Sequence, residues 1–87
     1  MKKHEKNIIN FIVICINEFA KHYEITSKEA YSYLEKYKGI EFLKENYEAE
    51  HTVSMDDTIE DLQQICFNNG GNIEWYYTMV QIKKSVK

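Results

Sequence analysis

The sequence predicts a small all-α domain of four helices with the first at its centre, and three observations predict it. There is no proline and there are only three glycines in 87 residues, so few positions can break a helix. The stretch Ile8 to Tyr23, drawn as a helix at ~100° per residue, spreads apolar side chains over roughly 200° of the wheel. Phe11, Cys15, Ile8, Phe19, Ile12, Tyr23, Ile16, Ile9, Ala20 and Val13 follow one another round that arc. An ordinary surface helix carries a stripe nearer ~100° wide, so this one calls for cover by other helices on two or more sides. The third observation is a pair of helix starts, at Thr26 and at Ser54, each followed by acidic residues.

Taken in order, Met1 to Lys6 is charged and expected to fray. The first helix runs from about Glu5 to Tyr23. Thr26-Ser27-Lys28-Glu29 is a capping box, in which the Thr26 hydroxyl accepts from the Glu29 amide and Glu29 reaches back. Ile25 and Ala30 supply the accompanying staple. The second helix extends to about Lys38 with Ala30, Tyr31, Leu34 and Tyr37 on its inner face, and Gly39 is expected to end it in the left-handed conformation. A short third helix, Ile40 to about Tyr47, lines up Ile40, Leu43 and Tyr47, with Phe42 off that line. Glu48 to Val53 reads as a polar link. Ser54 caps the fourth helix, whose Asp56, Asp57 and Glu60 suit the positive end of the dipole. Its buried face is Met55, Ile59, Leu62, Ile65 and Cys66, and Asn68-Asn69-Gly70-Gly71 stops it. Residues 1–71 thus form the helical domain. Residues 72–87 form a tail that is either strand or short helix: Ile73, Trp75, Tyr77 and Met79 alternate, while Ile73, Tyr76, Tyr77 and Val80 also fit a helix.

Composition narrows the function classes. A chain of 87 residues is one domain that buries only about 60% of its unfolded surface. The net charge is −3 and arginine is absent. Arginine is the side chain best matched to phosphate forks and guanine edges, so nucleic-acid binding is disfavoured; a small nucleic-acid-binding regulator stays as an alternative. Two cysteines in apolar helix faces read as buried free thiols, which points to a reducing cytoplasm. The apolar run from Ile8 to Ile16 is too short to span a bilayer. It also lacks the cleavage site of a signal peptide and is interrupted by Asn10.

No cofactor or metal is expected. His51 has no metal spacing to His4, His22, Cys15 or Cys66, and Gly70-Gly71 lacks the lysine and hydroxyl of a phosphate loop. The acidic run Glu45, Glu48, Glu50, Asp56, Asp57, Glu60 and Asp61 is the largest feature with a functional reading. It could be a face for a basic partner, a solvated surface, or, using His51 with Asp56 or Asp57, an acid–base site. The candidate binding residues are Glu48, His51, Asp56 and Asp57 on this face. Tyr33, off the Ala30–Leu34–Tyr37 line, and Trp75 and Tyr77 in the tail join them. The apolar tail is expected to fold back, pair with a second copy, or dock on another protein.

From about Ile8 to Gly71 the chain resembles a small bacterial family known only as a domain of unknown function. The matching elements are Cys15-Ile16-x-Glu18-Phe19-Ala20, Lys28-Glu29-Ala30-Tyr31-x-Tyr33-Leu34 and Tyr37-Lys38-Gly39-Ile40-x-Phe42-Leu43. Tyr47-Glu48-x-x-His51-Thr52, Asp56-Asp57 and Asn69-Gly70-Gly71 follow. The resemblance implies a neighbour: genes of that family often lie beside, or fused ahead of, a domain similar to ADP-ribosyltransferases, as an accessory or neutralising module would. It carries no catalytic residues to this chain. The expectation is therefore a non-catalytic, protein-binding accessory module, antitoxin-like, with an ADP-ribosyltransferase-like partner.

Overall fold

The computed structural model describes residues 3–72, with side chains from Glu5 onward. All regular structure among the described residues is helical: α1 (Lys3–Tyr23), α2 (Ser27–Lys36), α3 (Gly39–Glu45), α4 (Tyr47–Glu50) and α5 (Met55–Asn68). The all-α expectation holds, with one helix more than expected, because the polar link contains the single turn α4. Asn46 separates α3 from α4; its amide accepts no cap and instead donates to the Phe42 carbonyl at 3.0 Å.

Helix α1 packs against α2, α3 and α5. Its Ile12, Cys15, Ile16, Phe19 and Ala20 join Ala30, Tyr33 and Leu34 of α2, Ile40 and Leu43 of α3, and Ile59, Leu62 and Cys66 of α5 in one core. Phe19 is completely buried, between the rings of Tyr23 at 4.9 Å and Tyr33 at 6.0 Å. Phe42, off its helix's main line, is half-buried against this core.

The capping box forms as read. The Glu29 amide donates to Thr26 Oγ1 at 3.0 Å and the Thr26 amide to Glu29 Oε1 at 2.8 Å. Ile25 and Ala30, either side of the cap, are both buried. Ser54 caps α5 through the Asp57 amide at 3.1 Å.

Three helices end on a left-handed residue: Glu24 (φ 54°), Lys38 (φ 72°) and Gly70 (φ 95°). After α5, the Gly71 amide bonds back to the Cys66 carbonyl at 2.8 Å and the Gly70 amide to Phe67 at 3.1 Å. That is the Schellman pattern. After α1 it recurs, with Ile25 bonding to Ala20 at 3.0 Å and Glu24 to Lys21 at 3.3 Å. The left-handed residue after α2 was expected at Gly39 and is Lys38. Gly39 opens α3 instead, and its role is close approach: a Cβ there would lie 2.8 Å from Leu34 Cδ2. A lysine accepts the strained backbone so that the next residue can be the one without a side chain.

Two burial expectations are corrected. Tyr31 stands 46% exposed, whereas Tyr33 is 3% exposed. The α2 stripe that meets α1 runs through Ala30, Tyr33 and Leu34. Tyr33 is therefore part of the core and does not present its ring to a partner.

Candidate functional site

Two surfaces stand out. The first is the acidic junction of α4 and α5. His51 closes α4: its Nδ1 lies 2.6 Å from the Tyr47 carbonyl oxygen, and its ring stacks on Tyr47 at 4.4 Å with only 10° between planes. An imidazole held this way shields a helix end. Asp56 and Asp57 occupy the exposed first turn of α5, beside the Ser54 cap, and Glu48 is exposed on α4.

The residue that the structure brings into this junction is Glu50. Only 7% of it is exposed, although it is a carboxylic acid in an acidic run. Thr58, also buried, donates from its hydroxyl to the Glu50 backbone carbonyl at 3.3 Å, tying the turn to α5. Glu50 Oε1 is buried and meets no hydrogen-bond donor among the described residues. Burial pushes the Glu50 carboxyl up to about 7, helped by hydrogen bonding to Asp61 and by the charges of Asp61 and Asp57, with the Thr58 hydroxyl opposing. One signal could have found it: Leu43, Tyr47 and Glu50 keep i, i+4, i+7 spacing, so Glu50 continues the inward line of α3.

Next to this junction, α5 borders an open groove of about 700 Å³, with Tyr23, Tyr33, Asp61, Gln63, Phe67 and Asn72 in its walls. Gln63 donates its side-chain amide to the Tyr23 hydroxyl across it. Phe67 is 67% exposed at its edge. Tyr33 contributes to the floor of the groove, with burial pushing its hydroxyl pKa up.

The second surface lies on α1. The apolar arc is wider than the helices that cover it, so Ile9 and Val13, one turn apart, remain 45% and 49% exposed. Beside them Ile8, Ile9 and Ile12 line an open hollow of about 390 Å³, flanked by Glu5 and Lys44. Asn10 and Asn17 edge the same side of the helix. This edge was not among the candidate residues, although the 200° arc contains it.

The chemistry of the described residues is otherwise quiet. Cys15 and Cys66 are free and completely buried. Burial is the main cause pushing both thiols up to about 12; at Cys15 the nearby Glu50 and Glu18 add to it, while at Cys66 a bond from the Gly39 amide opposes it. Among the described residues no group of three or more His, Cys, Asp or Glu is placed to hold a metal ion, and no helix is long and apolar enough to cross a membrane. Trp75 and Tyr77, with the strand-or-helix question about the tail, lie outside the described residues.

Fold and surfaces define a small all-α domain with a closed aliphatic and aromatic core and two unlike outer faces. Residues 10–69 match the model of a family described as a protein of unknown function, DUF3791. That match spans most of the chain, and the chain belongs to this family. No curated protein and no solved structure matches.

Proposed function

We propose that this domain is a non-catalytic protein-binding accessory module, and that its partner is an ADP-ribosyltransferase-like protein which it accompanies or neutralises in the manner of an antitoxin. The choice of partner rests on the family resemblance. The observation that carries the binding role is the edge of α1 that the other described helices leave uncovered. Ile9 stands half exposed in the wall of an apolar hollow, and Val13 is exposed one turn further along, on the same helix that organises the core. Apolar side chains grouped around a concavity with a charge of each sign at its rim suit a protein partner. The acidic face of Glu48, Asp56 and Asp57 would complement basic residues on that partner and steer its approach.

The test is co-expression with an ADP-ribosyltransferase-like domain of the kind encoded beside or fused to members of this family. The expected result is a stoichiometric complex with lowered transfer of ADP-ribose, lost when Ile9 and Val13 are both changed to Asp. Absence of a complex at about 100 µM of each protein, where even weak interfaces are populated, contradicts the proposal. An intrinsic turnover abolished by His51→Ala in a folded protein would put the acid–base alternative in its place.

A further inference from the structure

Glu50 raises a question that the binding role leaves open. A carboxyl group taken out of water with one oxygen lacking a partner is costly if it is ionised. The Thr58 hydroxyl favours the ionised form, but burial and the neighbouring carboxylates outweigh it. From α5, Asp61 lies within hydrogen-bonding reach, Asp57 adds a second negative charge, and Thr58 supplies one hydroxyl. From α1, the Cys15 thiol feels the charges of Glu50 and Glu18. Within its own turn, Glu48 is exposed and His51 is occupied by the Tyr47 carbonyl and ring. The ionisable residues of α3, Glu41, Lys44 and Glu45, are all exposed.

The orphaned oxygen is satisfied at once if the Glu50 carboxyl keeps its proton and donates it to Asp61. Two carboxyl groups that close repel each other when both are ionised, so the buried one retains its proton. We propose that Glu50 and Asp61 hold one shared proton that fastens the α4 turn to α5, and that loss of this proton to solvent loosens the junction. The pair then passes from one negative charge to two inside a partly dry pocket, and the turn is left with the Thr58 bond to the Glu50 carbonyl. Asp61 also lines the groove on α5, so the same proton sets the charge of that wall.

The sign of the effect follows. The proton is held more tightly in the folded protein than in the unfolded chain, where a glutamic acid releases it near 4.5. Stability is therefore greatest on the acid side and falls as pH rises through about 7, the region where the folded carboxyl lets go. This direction is opposite to that of a salt-bridged carboxylate.

The experiment is a carbon-detected NMR titration of side-chain carboxyls in the intact chain, joined to melting curves and amide exchange. Glu50 should titrate close to neutrality. Protection of the 51–53 amides, which bond back to Tyr47, Ala49 and Glu50, should fall by about tenfold between about pH 6 and about pH 8.5 in the wild type. Glu50→Gln keeps a neutral donor, so protection and melting temperature should become flat across the same range. Asp61→Asn removes the acceptor charge, so Glu50 should titrate lower than in the wild type. A Glu50 carboxyl that titrates in the ordinary range near 4.5 overturns the proposal. So does a pH profile that Glu50→Gln leaves unchanged. The wild-type titration decides even if a variant fails to fold.

Discussion

The two halves of α1 carry similar apolar residues and are covered to different extents. In the C-terminal half, Cys15, Ile16, Phe19 and Ala20 are buried against α2, α3 and α5. In the N-terminal half, Ile12 is buried, but Ile9 and Val13 stay close to half exposed and Ile8 is only partly covered. Amphipathic periodicity reports which side chains favour burial; it says nothing about how far the neighbouring helices reach. Here α2 and α3 are short, at 10 and 7 residues, against 21 for α1. A helix so much longer than its neighbours must carry part of its apolar arc past them. That leftover edge is the surface to which the proposed binding role is assigned.

The difference between the halves can be broken by mutation. The largest loss is expected at Phe19, whose replacement by Ala removes a completely buried ring and should cost ~3–5 kcal/mol, enough to unfold a domain of this size. Ile16→Ala, in the same half, should cost ~2–5 kcal/mol. Chemical denaturation followed by circular dichroism checks both, and a midpoint unchanged for either would place the core elsewhere.

Smaller effects sharpen the picture at the helix ends. Thr26→Ala should lose ~0.5–2 kcal/mol, because it leaves the Glu29 amide without its acceptor, with partner binding intact. Lys38→Gly should raise stability, by about 1 kcal/mol, since the left-handed backbone strains a lysine and not a glycine; its exposed ion pair with Glu41 at 3.7 Å adds little. A lower melting temperature for Lys38→Gly would mean that the strain is illusory. Finally, Cys15 and Cys66 should resist thiol reagents in the native protein, because both are fully buried and held as thiols. Labelling should then follow the rate of opening and not reagent concentration.

Much of the fold was legible because local chemistry decides it. The Thr26 box and the Ser54 cap are written in consecutive residues, and Asn69-Gly70-Gly71 stops α5 as its composition implies. What was not legible depended on tertiary geometry. Whether the left-handed backbone falls on Lys38 or Gly39 is decided by Leu34, which leaves no room for a Cβ at Gly39. Whether Tyr31 or Tyr33 turns inward is decided by the side of α2 that meets α1. Glu50 was read as one more residue of the acidic run, and its burial was not expected because charge is ordinarily a sign of exposure; its spacing from Leu43 and Tyr47 was the contrary signal. The exposed edge at Ile9 and Val13 was hidden inside an arc read wholly as core.

The most direct test of the contrast between the two halves is the melting temperature of the Ile9→Asp/Val13→Asp double variant, taken beside Ile16→Ala. If the edge is surface, the double variant melts within a few degrees of wild type, as exposed substitutions do, while Ile16→Ala falls far below it. A double variant that melts as low as Ile16→Ala would contradict the account, because the N-terminal edge would then belong to the core.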